Sequence, residues 1–276
     1  MHGPLAQPNK DNRGFMNNPA FIESKSGIII IDPGSTLEVG NEILREIRSI
    51  TTKPVLAVFN THIHGDHWLG NQAVKRAYPD VRIYAHENTI TQANGSEGLI
   101  WLDLMAQRTA GASQGTKLVP ATISVDNGEA IEVDGETFLI HAVVPAHTNT
   151  DIMIEHVGSK TIFLGDNCVI NRMNRFDNSA SILGTIDALE FINARDYDLV
   201  VPGHGPSGSL ETSLQPFLNY LQKLKMVVEQ GLEDDLEDYE IKQSSIEEFS
   251  EVKDWFGFEE RFGVNLNKMY LELEAF

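Results

Sequence analysis

Three features are scarce in this sequence, and each scarcity narrows the class of protein. Cys168 is the only cysteine, which excludes an intramolecular disulfide and the small folds that depend on one. The longest strong apolar run, Ile28 to Ile31, falls far short of the roughly 18 residues that would suggest a membrane span. The 21 Lys and Arg residues stand against 40 Asp and Glu residues, giving a net charge of -19. This balance argues against nucleic acid as a partner, because phosphate binding needs clustered cations. We expect a soluble globular protein.

The first 18 residues lack the basic region and apolar stretch of a signal peptide. They are polar and rich in Asn and Pro, so we expect an irregular segment. Two interpretations of location stay open: the protein is periplasmic if a leader has been removed, and cytoplasmic otherwise. We expect residues 19–276 to form one domain that ends in a helical and acidic extension over about residues 209–276.

Alternating strand and helix patterns run through most of the chain. The runs at residues 28–31 and 55–59 predict buried strands, because they are apolar and rich in β-branched residues. Residues 37–50 and 210–228 carry apolar side chains at helical spacing, which predicts amphipathic helices. Short strands separated by hairpin turns are predicted over residues 123–156. This order predicts an α/β fold in which two sheets pack together with helices outside.

The strongest functional signal is the run His62-Ile63-His64-Gly65-Asp66-His67, which follows the strand at residues 55–59. Two histidines separated by one residue on an extended stretch point the same way, so both can bind one metal ion. Asp66 and His67 then turn toward a second ion. Imidazole and carboxylate are the ligands expected for zinc, and iron or manganese also accept them. The run therefore predicts a metal centre.

Three more candidate ligands follow later strands. They are His147 in Pro-Ala-His-Thr, Asp166 in Gly-Asp and His204 in Pro-Gly-His-Gly. We expect each of them to lie where a predicted strand ends, so that they complete the ligand set begun by the histidine-rich run.

These motifs resemble the metallo-β-lactamase superfamily over nearly the whole chain. The matching elements are the strand and turn at Asp32, THIHGDH, AHT at 146–148, GD at 165–166 and PGHG at 202–205. The resemblance implies a four-layer αββα sandwich, the metallo-β-lactamase fold, with two metal ions at one edge. It also implies the following ligands: His62, His64 and His147 on the first metal, Asp66, His67 and His204 on the second, and Asp166 bridging the two.

The C-terminal third carries a closer resemblance. The run VVPGHGP, a following YLxxL helix and a final W-F-x-F-E-x-R-F-G segment are similar to a periplasmic subgroup. Members of that subgroup are encoded near sulfur-oxidation or quinoprotein dehydrogenase systems. This resemblance implies a location and leaves the substrate open.

Four other residues compete for a metal role. Cys168 is the alternative to Asp166, because many true β-lactamases of this superfamily bind the second metal through a cysteine near this point. We favour Asp166, since it directly follows the predicted strand. His86 begins a predicted helix and is interpreted as a cap, while His141 and His156 lie within strands and are interpreted as packing or surface residues.

The ligand set and the resemblance together imply a dinuclear zinc hydrolase of an ester, thioester, lactone or amide. A hydroxide bridging the two ions would attack the carbonyl, because metal binding lowers the pKa of water from about 15.7 to about 7. Asp66 would act catalytically by orienting the hydroxide and moving its proton. Two alternatives stay open: β-lactamase activity, which a bridging Asp166 disfavours, and an iron-dependent persulfide dioxygenase.

The substrate is expected to be a small molecule, and the sequence indicates no oligomeric state. Pocket walls are predicted after Trp68 and over residues 96–115 and 167–179, where Trp68, Arg172 and Arg175 are candidate substrate contacts. The interpretation we favour for the two arginines is that they pair with acidic neighbours such as Asp177 or hold the loop to the body of the protein. The alternative is that one of them binds an anionic group of the substrate, since guanidinium grips carboxylates in a bidentate fork.

Overall fold

A computed structural model describes residues 1–275 of the chain; Phe276, the last residue of the predicted domain, lies outside the described residues. The strands β1 to β10 are Ala20–Glu23, Ile28–Ile31, Val55–Phe59, Arg82–His86, Ile123–Val125, Ala130–Val133, Glu136–His141, Met153–His156, Thr161–Val169 and Leu199–His204. The helices α1 to α10 are Leu37–Ile50, Gly65–Trp68, Asn71–Ala77, Glu87–Ala93, Ser96–Arg108, Ile182–Asn193, Leu210–Ser213, Gln215–Glu233, Asp238–Ser245 and Phe258–Glu274. None of the helices described is long and apolar enough to cross a membrane.

The strands form two five-stranded sheets, ordered β1-β2-β3-β4-β5 and β10-β9-β8-β7-β6. In the first sheet β2, β3, β4 and β5 run parallel, so their carboxyl ends share one edge. In the second sheet β9 and β10 are parallel and the remaining pairs are antiparallel. Four of the seven predicted ligands follow β3, and His147 follows β7.

Strand β2 shows why the fold has four layers. Ile29 and Ile31 pack against the second sheet in one apolar cluster with Phe138, whereas Ile28 and Ile30 pack against α1 and α3 in another. Successive side chains of a strand point to opposite faces, so a run of four isoleucines requires both faces to be covered. A further apolar cluster joins the outer face of the second sheet to α6, α8 and α10. The predicted αββα sandwich is confirmed.

Two elements differ from the sequence-based boundaries. The predicted helix over residues 210–228 is two helices, α7 and α8, because Leu214 leaves helical geometry and Pro216 begins the second. Strand β9 was expected to end before Asp166 but continues to Val169, and all nine of its residues are buried. Asp166 therefore lies inside a strand, and His204 is the last residue of β10.

Candidate metal centre

The histidine-rich run spans the loop after β3 and the start of α2, and Asp32 holds its beginning. Asp32 follows β2 with a φ of 51°, a left-handed conformation that costs energy in a residue with a side chain. Its carboxylate accepts hydrogen bonds from the Thr61 backbone N at 2.8 Å and from Thr61 Oγ1 at 2.7 Å. Thr61 immediately precedes His62, so Asp32 fixes the start of the run. Every residue of the run is buried.

Seven side chains converge in two groups at this edge of the sandwich. The first group contains His62, His64, His147 and Asp166, the second contains Asp66, His67 and His204, and within each group the candidate ligand atoms lie within 4.8 Å of one another. The structure thus brings together all seven residues that the sequence predicted as ligands.

Asp166 contacts both groups. Its Oδ1 lies 3.2 Å from His67 Nε2 and 3.3 Å from His204 Nε2 in the second group. Its Oδ2 lies 3.7 Å from His147 Nε2 in the first group. One carboxylate with its two oxygens directed at different groups is the arrangement that a bridging ligand requires.

The atoms facing the centre of these groups fit a divalent metal. Buried atoms without a hydrogen-bond partner among the described residues include His62 Nε2, Asp66 Oδ2, His67 Nε2, Asp166 Oδ1 and His204 Nε2. An unpaired buried polar atom costs about 1–3 kcal/mol, so five of them in one place call for a ligand. Imidazole nitrogens and carboxylate oxygens are donors that zinc accepts. The residues present are therefore suited to hold metal ions.

Contacts on the outer side of the imidazoles set which nitrogen carries the proton. His67 Nδ1 lies 2.7 Å from Asp32 Oδ2, and His204 Nδ1 lies 2.7 Å from the Met16 carbonyl oxygen. Both oxygens can only accept, so each Nδ1 can donate its proton outward when Nε2 binds a metal ion. The two rings are thereby held in the tautomer that a metal ligand needs.

Burial and mutual charge shape the protonation of the cluster before any metal binds. Burial raises the pKa of Asp66 and Asp166, but the adjacent His67 and His204 outweigh it and hold both pKa values well below their usual range. Burial together with neighbouring His64 lowers the pKa of His147 to about 3. Ionised carboxylates and a neutral imidazole are the forms that bind metals.

The competing residues lie elsewhere. Cys168 is fully buried, its Sγ is 3.4 Å from the Ser213 carbonyl oxygen in α7, and burial raises the pKa of its thiol. His86 caps α4 by accepting a hydrogen bond from the Asn88 backbone N, as predicted. His141 and His156 each lie 2.9 Å from a glutamate of the neighbouring strand.

A cavity of about 330 Å³ opens onto the two groups. His64, Asp66, His147, Asp166 and His204 line its floor. Its walls include Trp101, Met105 and Arg108 from α5, and Arg172 and Arg175 from the loop after β9. The predicted wall segments at 96–115 and 167–179 therefore do face the centre.

Trp68 does not line the cavity, so its prediction as a substrate contact needs correction. Its side chain is 1% exposed, and its indole Nε1 donates to the Ile63 carbonyl oxygen at 2.7 Å. The turn of α2 directs it into an apolar cluster with Leu69 and Met105. Trp68 supports the loop from behind.

Sequence reasoning missed contributions from both ends of the chain. Gln7, Pro8 and Met16 of the irregular first segment line the cavity, as do Phe256, Gly257, Glu260 and Arg261 at the start of α10. The first segment is tied down by Asn18, whose Nδ2 donates to the carbonyl oxygens of Pro202 and Gly205 on either side of His204. No local sequence pattern predicts such long-range contacts.

The fold and the two histidine and aspartate groups define a class of protein. Residues 12–204 match the profile of the metallo-β-lactamase superfamily, and the chain belongs to that superfamily. It is accordingly a metal-dependent hydrolase with a His and Asp metal-binding cluster.

Among known proteins, the chain is similar to a linear primary-alkylsulfatase of Pseudomonas sp., at 36% identity over 84 residues. That match spans 27% of the chain and only 16% of the sulfatase. A probable metallo-hydrolase of Streptococcus pyogenes serotype M6 is 24% identical over 73% of the chain and 85% of its own length. The solved inverting sec-alkylsulfatase Pisa1 from Pseudomonas sp. shares the fold over 94% of the chain and 48% of its own, with a TM-score of 0.71 and 17% identity.

Proposed function

We propose that the protein is a dinuclear zinc hydrolase that attacks the carbonyl of an ester, thioester, lactone or amide. The observation that carries the proposal is the position of Asp166, whose two carboxylate oxygens face different ligand groups. We assign His62, His64 and His147 to one ion and Asp66, His67 and His204 to the other. Asp166 would be shared between them.

The residues at the cavity floor have distinct tasks in such a reaction. Bound zinc ions supply positive charge for a developing oxyanion and make water acidic enough to lose a proton near neutral pH. Asp66 lines the cavity, so its carboxylate can take the proton of the attacking water and deliver it to the leaving group. Asp32 and Met16 hold His67 and His204 in place from outside.

The apolar side of the cavity suits the acyl part of such a substrate. The Trp101 ring lies 4.7 Å from the His64 ring, and Met105 lies beside it in the same apolar cluster. Both residues line the cavity next to the ligand groups. A carbonyl placed over the floor would leave its hydrocarbon portion against this wall, where burial is favourable.

Hydrolysis of a sulfate ester is a second candidate. It is favoured by the arginines on the cavity wall, which can bind a sulfate, and by the similarity to two alkylsulfatases. In that case the reacting bond belongs to a sulfate group instead of a carbonyl. The catalytic roles proposed for Asp66 and the ligand groups stay the same.

Metal analysis followed by a substrate screen tests the proposal. We expect about two zinc ions per chain, loss of activity on chelation, and recovery with zinc. The screen compares kcat/KM for an aryl ester, a thioester, a lactone, a penicillin and an alkyl sulfate. One ion or none in metal-replete protein would contradict a dinuclear centre. A penicillin far ahead of the others would favour a β-lactamase, and persulfide oxidation by iron-loaded protein alone would favour the dioxygenase.

A further inference from the structure

Four arginines from three separate parts of the chain line the same cavity. Arg108 ends α5, Arg172 and Arg175 lie in the loop after β9, and Arg261 lies in the first turn of α10. In a chain with 40 acidic and 21 basic residues, this local excess of positive charge runs against the overall composition. We call these four residues the arginine rim.

Close ion pairs do not neutralise the rim in the described part of the chain. None of the four forms an ion pair within 4.0 Å in the part of the chain that the structure describes, although ion pairs occur elsewhere on the surface. The expected pairing of the loop arginines with Asp177 is wrong, because Asp177 instead faces His64 Nε2 at 3.8 Å and accepts hydrogen bonds from Ser179. The alternative role, holding the loop to the body, fits Arg172, which forms a bridge with Phe256. Glu260 also lines the cavity, yet it is exposed and makes no such pair.

The four guanidinium groups also act on one another. Burial lowers the pKa of Arg261, and the positive charges of Arg175, Arg172 and Arg108 lower it further, against an opposing effect of Glu260 that is smaller than that of either Arg175 or Arg172. Like charges held together without a partner destabilise the folded protein, and an anion placed among them removes that cost. A concave wall that carries an excess of one sign of charge also concentrates ligands of the opposite sign.

We propose that the arginine rim binds an anionic group of the substrate, a carboxylate or a sulfonate, at a distance from the bond that is cleaved. The inference rests on the proposed function and narrows its substrate class to an acid that also carries the hydrolysed group. The substrate would then be an amphiphilic anion, with a hydrocarbon part against Trp101 and Met105 and its charged end at the rim. Guanidinium suits this task because its planar fork of donors matches two oxygens of one anion.

The four arginines differ in how available their guanidinium groups are to bind an anion. Arg172 stacks near Phe256 at 5.9 Å, and its Nη1 lies 3.0 Å from His204 Nδ1, so changing it would also disturb a proposed metal ligand. Arg175 is exposed, and its guanidinium makes no hydrogen bond to a described residue. Arg261 is half-buried at the other side of the rim. Arg175 and Arg261 are therefore the residues to test.

The test uses two aryl esters of equal chain length, one neutral and one ending in a carboxylate, with metal-loaded protein. We expect wild type to prefer the acid ester. Arg175→Gln and Arg261→Gln should each lower the ratio of kcat/KM, acid ester over neutral ester, by about tenfold, and mainly through KM. Arg45→Gln removes the same charge from an exposed site in α1 and is the matched control, with an expected ratio equal to wild type.

Binding without turnover separates this inference from the proposed function. Calorimetric titration compares glutarate, which has a second carboxylate, with butyrate, which lacks it. Tighter binding of glutarate by wild type, reduced to the butyrate level in Arg175→Gln with Arg261→Gln, supports the rim even if no ester is hydrolysed. Equal losses of kcat/KM on the acid and neutral esters in the arginine variants would overturn the inference. So would a double variant that still binds glutarate more tightly than butyrate by the wild-type margin. A sulfonate analogue of glutarate tells whether the rim prefers carboxylate or sulfonate.

Discussion

Asp32 Oδ2 lies 2.7 Å from His67 Nδ1, and the same carboxylate accepts two hydrogen bonds from Thr61. One buried side chain thus fixes both the start of the histidine-rich run and the ring orientation of its last ligand. Asp32 touches no candidate metal position itself. Its effect on a metal would pass through the tautomer and position of His67.

Replacing Asp32 with asparagine should lower the affinity for the metal ion that His67 binds by about 10- to 100-fold, because contacts that support a ligand contribute on that scale. The amide oxygen of the variant can still accept a hydrogen bond from the Thr61 backbone N. Its NH2 group, however, would take the place of Oδ2 and face His67 Nδ1, which also donates. Zinc affinity measured by chelator competition checks this for each ion. Asp134→Asn, at a half-buried acceptor of hydrogen bonds from Ser24 and Ser26, is the control and should leave both affinities unchanged. An equal loss of affinity for both ions would mean that Asp32 acts through the general stability of the protein.

The ligand set was predictable because its information is local. Histidines two residues apart after a strand follow from chain geometry, whereas the full set of seven was implied by the resemblance to the superfamily. Asp166 was expected where a strand ends and lies inside β9. Met16 and Arg261 were not predictable in this way. Met16 reaches His204 across 188 residues of sequence, and Arg261 comes from a helix whose docking depends on the whole apolar cluster behind β9. The prediction that Trp68 contacts the substrate was wrong for a related reason, since the helical turn of α2 directs its side chain into the apolar core.

Asp166 and Cys168 should behave very differently on substitution. Asp166→Ala removes the carboxylate that contacts both ligand groups, so we expect loss of most activity and weaker binding of the second metal. Cys168→Ser keeps a donor for the Ser213 carbonyl oxygen and should leave metal content unchanged. Elemental analysis and kcat/KM for the best substrate decide between them. A serine variant that lost one ion while the alanine variant kept both would reverse the assignment.

The first segment should matter to the metal centre through Asn18. Asn18→Ala removes hydrogen bonds to two buried carbonyl oxygens flanking His204, which should lower the free energy of unfolding by about 1–3 kcal/mol. It should also lower the affinity for the metal ion that His204 binds, because the Met16 carbonyl oxygen would hold the His204 ring less firmly. Denaturant unfolding and zinc competition measure the two effects. Asn9→Ala, which changes a side chain that bonds only within the segment, should alter neither; a metal-site effect there would point to the segment as a whole.

Asp151 is a buried carboxyl group in the same turn as the candidate ligand His147, and it should give the protein a distinct pH dependence. Burial raises its pKa to about 8, even though the backbone N and Oγ1 of Thr148 donate to its carboxylate at 2.6 and 2.9 Å. Thr148 Oγ1 is in turn 2.7 Å from Thr150 Oγ1, which accepts from the Ile63 backbone N. The carboxyl group thus links the turn after β7 to the histidine-rich run.

A carboxyl group with a raised pKa binds a proton in the folded state that the unfolded chain has already released. Between pH of about 4 and about 8 the folded state therefore holds more protons, and the free energy of unfolding falls as pH rises. Asp151→Asn, with a permanently neutral amide, should lack this dependence. Its stability relative to wild type should rise by on the order of 2 kcal/mol between pH 6 and pH 8 in urea unfolding of metal-free protein. Asp80→Asn, at an exposed aspartate, should show no such change; a constant difference between wild type and Asp151→Asn across this range would mean that Asp151 is already ionised in the folded protein.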